Sequence, residues 1–286
     1  MAGDVEQLRA YVEYFRDMGV HDFYRQGAPV FSEAAAVVAD VTAVEAQPLP
    51  VAAVVAPEYK APAVPAKPDY LEPPVPKLVS FDDLVPLPGS RVPAAGKADA
   101  LRAIREEIGD CTRCPLAYAG RRNIVFADGD PNARLMFVGE GPGADEDASG
   151  VPFVGKAGQL LNNMIVAMGL KREEVYIANI VKCRPPANRV PEPVEANTCS
   201  QFLLQQIDVV QPQVIVALGA TAAMYLLGVK QSLTALRGRW HGCRGAKLAV
   251  TYHPAFLLRD PRQKGEAWKD LQRVMAELGL KAPVKG

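Results

Sequence analysis

Four cysteines of this chain are placed to act together. Cys111 and Cys114 form a C-x-x-C pair, and Cys183 and Cys199 follow far downstream. Four thiolates can hold zinc or an iron–sulfur cluster, and spacing alone does not choose between them. A lone C-x-x-C also fits a redox pair, so the signal lies in the set of four. The fifth cysteine, Cys243, reads as a free, partly buried thiol.

Four other segments carry unusual chemistry. In Gly139-Glu-Gly-Pro-Gly-Ala-Asp-Glu-Asp147, glycines and a proline directly follow an apolar run, so the backbone comes close to something. Its carboxylates would repel a phosphate, unlike a dinucleotide loop. It suits backbone N–H groups and one or two carboxylates aimed at a neutral or cationic centre; the plainer reading is a solvated acidic turn. In Val151-Pro-Phe-Val-Gly155, Phe153 reads as a core plug or as a stacking platform for a flat ligand. In Ala178-Asn-Ile-Val-Lys-Cys-Arg-Pro-Pro186, the Asn179 amide offers an acceptor and two donors, enough to read a base edge, or it caps a loop. Lys182 and Arg184 could meet phosphates. In Thr251-Tyr-His-Pro-Ala-Phe-Leu-Leu-Arg259, His253 precedes an apolar pair and a cation. Leu257 and Leu258 beside Arg259 suit entry into a duplex, or an ordinary helix start packed on the core.

Short apolar strands alternating with helices must position these segments. Strands are expected at 134–139, 175–180, 213–218 and 248–251. Helices are expected at 98–108, 156–168, 193–210 and 263–278, with another opening at Gly219. The pattern implies an α/β chain with a mostly parallel sheet covered on both faces, and ligands at the carboxyl ends of its strands.

The rest of the chain differs. Residues 4–18, within a segment 1–26, read as an amphipathic helix. Residues 27–96 are rich in Pro, Ala and Val, and 13 of the 25 prolines precede residue 100. Proline blocks helix and sheet alike, so this stretch is expected to be a disordered linker before a domain at 97–286. An amphipathic helix on such a tether suits docking to another protein.

The net charge of zero hides an asymmetry. Residues 1–99 hold 8 Lys and Arg against 14 Asp and Glu; the remainder holds 24 against 18. A basic C-terminal part suits a polyanion. The acidic, polar start is unlike a secretory leader, and no apolar run reaches membrane-spanning length. A cytoplasmic, nucleoid-associated monomer without membrane contact is expected, where cysteines bind metal rather than form disulfides.

Taken together and in this order, Gly-Glu-Gly-Pro-Gly, Pro-Phe-Val-Gly, Asn-Ile-Val-Lys-Cys-Arg-Pro-Pro, His-Pro-Ala and the cysteine layout resemble the family 4 uracil-DNA glycosylases. The resemblance covers roughly residues 101–280. It implies a three-layer α/β/α sandwich that removes uracil from single- or double-stranded deaminated DNA. It implies that Cys111, Cys114, Cys183 and Cys199 ligate a structural [4Fe–4S] cluster rather than zinc. Carried over, the backbone of Glu140 and Gly141, with Pro142 beside it, would hold the uracil carbonyl. Phe153 would stack on the ring, Asn179 would bond its Watson–Crick edge, and His253 would donate to the oxygen that gains charge. Glu146 would lie near C5 and exclude thymine. Lys182, Arg184, Leu257, Leu258 and Arg259 would contact DNA.

Efficient relatives carry Asp or Asn in the first motif to position water; here Glu140 is the first candidate for that duty and Glu146 the second. A relative that captures uracil covalently uses a histidine in an inserted basic loop; Pro186-Ala-Asn-Arg-Val-Pro191 has neither. The alternatives are a glycosylase for hypoxanthine or xanthine, and a non-catalytic iron–sulfur DNA-binding module.

Overall fold

The computed structural model describes residues 78–281. Its sheet contains β1 (Asp128–Gly129), β2 (Leu135–Gly139), β3 (Tyr176–Asn179), β4 (Val214–Leu218), β5 (His241–Cys243) and β6 (Ala246–Thr251), in the order β1-β3-β2-β4-β6-β5. The four inner strands are mutually parallel, and β1 and β5 pair antiparallel at the edges. Because side chains alternate across a strand, each apolar run feeds both faces. Met136, Val138, Ile215 and Ala217 enter one core; Leu135, Phe137, Val214 and Val216 enter the other.

Helices cover both cores, completing the expected three-layer α/β/α sandwich. One side takes α1 (Phe81–Leu84), α2 (Lys97–Ile108), α5 (Pro193–Val210), α6 (Ala220–Leu227) and α7 (Leu233–Leu236). The other takes α4 (Lys156–Ala167), α8 (Pro254–Arg259) and α9 (Lys264–Leu278). The expected boundaries lie within about two residues of these. The acidic loop differs from expectation: residues Ala144–Ser149 form a short helix, α3. Asp145, Glu146 and Asp147 occupy its first turn, where carboxylates face the positive end of the helix dipole.

From β2 the chain crosses to β3 on one side, then returns past β2 to β4 on the other. The order therefore reverses between β2 and β4, and a crevice opens there at the carboxyl ends.

One expectation fails inside the domain. Residues 78–96 belong to the expected disordered linker, yet they are docked. Phe81 is buried in the first core, with Leu78 and Val92 against it. The Arg244 guanidinium binds Asp208 and reaches the carbonyls of Phe81 and Pro86 at 3.3 and 3.1 Å, and that of Val85. Its backbone N–H donates to Asp82 at 2.6 Å. A buried cation with several acceptors overrides the proline-rich composition. The N-terminal helix and residues 27–77 of the linker lie outside the described residues.

Arg244 has a φ of 52°, which asparagine tolerates better than most residues. Arg244→Asn is expected to cost about 3 kcal/mol, because it removes a buried guanidinium and strips the half-buried Asp208 carboxylate and several carbonyls of their partner. The matching outcome is a midpoint lower by roughly 6–12 °C, with new proteolytic cleavage at 78–96. Thermal melts and limited trypsinolysis check it.

Candidate active site

At the carboxyl edge of the sheet lies a cleft of about 630 Å³. Glu140, Gly141, Pro142, Glu146, Phe153, Asn179, His253 and Arg259 all line it. The structure thus gathers three of the sequence motifs from strand ends. Val151–Gly155 is the exception: it follows α3 rather than a strand, and reaches the cleft from the side.

Gly139 ends β2 where two groups crowd in. A Cβ there would sit 2.6 Å from Phe153 Cζ and also against Asn179 Oδ1. Glycine lets the Phe153 ring and the Asn179 amide meet over the backbone. The carbonyls of Gly139 and Glu140 accept from Ile180 and Val181 N–H, which zips the first and third motifs together.

Asn179 is 2 % exposed, and its Oδ1 has no hydrogen-bond partner. A buried acceptor without a donor is costly, roughly 1–3 kcal/mol, unless a ligand supplies one. Phe153 sits close by with a φ of 53°, unusual for a bulky residue. Its ring centroid lies 5.7 Å from that of His253, tilted by 33°.

His253 caps α8: Nδ1 accepts from the Ala255 N–H at 3.1 Å. Burial, with Arg259 nearby, lowers its pKa to about 4, partly offset by Glu146. The ring is therefore neutral at physiological pH. With Nδ1 accepting, the proton resides on Nε2, and the imidazole is a donor there.

The two candidate carboxylates separate clearly. Glu146 Oε1 accepts from Val154 and Gly155 N–H, each at 2.9 Å, and Oε2 from Gly143 N–H at 3.0 Å. Its oxygens are occupied with backbone. Glu140 has its pKa raised by burial, moderated by a hydrogen bond from the Thr221 hydroxyl across the crevice. A carboxylate with a raised pKa is a better proton acceptor near neutrality.

Two DNA-contact assignments need correction. Lys182 is 1 % exposed, and Nζ donates to the Asn179 carbonyl at 3.0 Å and Gln206 Oε1 at 2.6 Å. It cannot meet a phosphate. Leu257 is 1 % exposed and packs in the second core, because the helix periodicity turns it inward; only Leu258, 43 % exposed, faces out. Arg184 bonds Asn188 at 2.8 Å, and Arg259 is exposed on the cleft rim.

The four cysteines also converge. Cys111, Cys114, Cys183 and Cys199 line one pocket with Arg121, Lys182 and Phe202. Arg121 donates to Cys183 Sγ at 3.3 Å, and the Lys182 N–H to Cys199 Sγ at 3.3 Å. Burial raises the thiol pKa values of Cys114 and Cys183, and that of Cys199 to about 12. Such thiols stay protonated unless a bound cation draws off the proton. Among the described residues, no three His, Cys, Asp or Glu side chains are grouped to hold a single metal ion. Cys243 is buried away from this set, with its thiol pushed up to about 12.

Sequence reasoning missed Arg121, Arg172, Asn188, Arg189 and Val190. The last three rim the cleft, where Ala187 and Asn188 both take positive φ. Arg121, a cation shortly after the C-x-x-C, could have been suspected; nothing marked Arg172.

The uracil DNA glycosylase superfamily model matches residues 126–272. The chain is 47% identical over 168 residues to the type-4 uracil-DNA glycosylase of Thermotoga maritima, spanning 57% of this chain and 86% of that protein. It is 44% identical over 179 residues to the type-4 uracil-DNA glycosylase of Pyrobaculum aerophilum, 60% of this chain and 91% of that protein. A type-5 uracil-DNA glycosylase of the same organism is 31% identical over 180 residues, 52% and 79% respectively. With motifs, fold and cleft in agreement, the chain belongs to the uracil-DNA glycosylase superfamily and, within it, to the type-4 family.

Proposed function

We propose that this protein excises uracil from DNA by hydrolysing the N-glycosidic bond, leaving an abasic site. The observation that carries the reading is that Asn179, whose buried Oδ1 has no hydrogen-bond partner, lines the same cleft as Phe153 and His253. Uracil presents an imide N–H beside a carbonyl, which one amide can meet with its acceptor and a donor.

A uracil within a duplex is out of reach, so the nucleotide rotates out of the stack at a cost of a few kcal/mol. Leu258 fills the space left behind, and Arg259 and Arg184 hold the backbone. Phe153 stacks on the extruded ring. The Glu140 and Gly141 backbone, beside Pro142, borders one carbonyl. As the bond to C1′ lengthens, the pair of electrons moves onto uracil, and His253 Nε2–H donates to the oxygen that gains charge. A neutral donor keeps its proton and stabilises that charge. Glu140 orients the attacking water and takes its proton, so C1′ gains hydroxyl and uracil leaves.

We further propose that Cys111, Cys114, Cys183 and Cys199 hold a [4Fe–4S] cluster. The donor set fits: four thiols around one pocket, with N–H donors to Cys111, Cys183 and Cys199 and the cations Arg113, Arg121 and Lys182 alongside. Bound there, the cluster supplies structural cross-linking between distant segments. The protein works as a monomer on nucleoid DNA in the cytoplasm.

Purified protein incubated with a uracil-containing oligonucleotide, then treated with alkali, is expected to yield strand breaks at uracil. Intact strands at uracil with breaks at hypoxanthine would replace this reading. A brown protein with thiolate-to-iron absorption is expected; a colourless one holding zinc would overturn the cluster.

A further inference from the structure

The loop carrying Phe153 is held from two opposite sides. On one side, Arg172 Nη2 donates to the Pro152 carbonyl at 2.6 Å, and Nη1 to the Phe153 carbonyl at 3.1 Å. On the other, Glu146 Oε1 accepts from the N–H groups of Val154 and Gly155. Four consecutive residues thus present two carbonyls to a cation and two amides to an anion.

Each jaw is anchored in turn. Arg172 Nε binds Asp128 of β1 at 2.7 Å, and Nη1 also reaches Asn162 of α4 at 2.8 Å. Glu146 is tied to Gly143 in the first motif. Gly158 leaves room for the loop, since a Cβ there would strike the Phe153 carbonyl.

The left-handed backbone at Phe153 requires such a restraint. A bulky residue at positive φ costs of order 1–3 kcal/mol and persists only where its surroundings enforce it. Relaxation to an ordinary φ would swing the ring away from Gly139 and His253. Guanidinium is the side chain whose planar fork can hold several carbonyls and a carboxylate at once; an ammonium cannot keep that geometry.

We propose that Arg172 and Glu146 form a clamp that sets the stacking face of Phe153, with Arg172 a positioning residue for uracil excision. The proposal rests on the uracil-excision reading for its rate effects. It also changes the part given to Glu146, which acts through the loop backbone.

A double-mutant cycle tests it. In single-turnover excision, Arg172→Lys is expected to lose about 10- to 100-fold, the scale of a misplaced binding group. In a Phe153→Ala background the same change is expected to cost less than about 3-fold, because the ring it positions is gone. Equal losses in both backgrounds, or an Arg172→Lys rate within about twofold of wild type, would overturn the clamp. A wild-type protein that releases no uracil defeats the functional reading instead.

Amide hydrogen exchange then judges the clamp without activity. Arg172→Lys is expected to speed exchange at Val154 and Gly155 by about tenfold or more, with β2 and β3 unchanged. Unaltered exchange at those two amides overturns the proposal. Should Arg172→Lys fail to fold, Asp128→Asn removes the outer anchor and is expected to show the same pattern more weakly. Exchange left unaltered in that variant overturns the clamp equally.

Discussion

His253→Ala is expected to lower single-turnover uracil excision by about 10²- to 10³-fold while DNA binding is retained. That loss matches roughly 3–4 kcal/mol for one donor aimed at developing charge in a water-poor site. The expectation rests on three facts. The ring lines the cleft, Nδ1 is committed to the Ala255 N–H, and the pKa near 4 keeps the imidazole neutral. The variant also loses a helix cap worth about 1 kcal/mol, so its folding is checked by thermal melting. Full single-turnover activity would refute the role.

The pH dependence has a definite sign. His253 is harder to protonate folded than unfolded, so its contribution to stability is complete above its ordinary value of 6.5. It is lost as pH falls from there towards about 4. His253→Ala should flatten that part of the acid-stability curve. Activity of the wild type should not follow a histidine titration between about pH 5 and 8. Its acid limb is expected to follow Glu140, whose carboxyl pKa burial raises, and Glu140→Gln should remove that limb.

Lys182→Met is the second large effect, and it separates two readings of one residue. The ammonium is buried and donates to the Asn179 carbonyl and to Gln206, which in turn bonds Tyr176 at 3.2 Å. Burial lowers the Lys182 pKa to about 8, so its charge is already weakly held. Methionine matches the shape but leaves two buried acceptors without a donor, at roughly 1–3 kcal/mol each. The expected outcome is a loss of about 2–5 kcal/mol in chemical denaturation, with slower excision because Asn179 loses its footing. The salt dependence of DNA binding should not change. A phosphate-contacting lysine would instead reduce the slope of log K against log salt by about 0.9. A reduced slope with intact stability would restore the surface reading; Arg259→Gln serves as the positive control.

Lys182 also joins the two centres of the molecule. Its backbone N–H donates to Cys199 Sγ, and its ammonium donates to the Asn179 carbonyl at the cleft.

Composition, periodicity and motif spacing by themselves determined a parallel sheet covered on both faces, the four-cysteine set and the segments carrying Phe153, Asn179 and His253; the family resemblance added Glu140. Those follow from local rules. Strand and helix periods are written in apolar spacing, and strand-end glycines mark close approach. The tertiary structure decided which way side chains face and what they are bonded to. Lys182 and Arg184 look alike two residues apart, yet one is sealed beneath Asn179 and the other lies on the surface. Leu257 and Leu258 are adjacent and identical, but a helix turns them about 100° apart, so only one can face a duplex. Residues 78–96 read as linker because proline dominates locally; the cation that docks them, Arg244, is more than a hundred residues away. Arg172 carried no motif, since its worth lies in acceptors from the Phe153 loop, α4 and β1 that converge only once these are packed. Burial and long-range pairing are properties of the assembled chain, which is why these assignments waited on it.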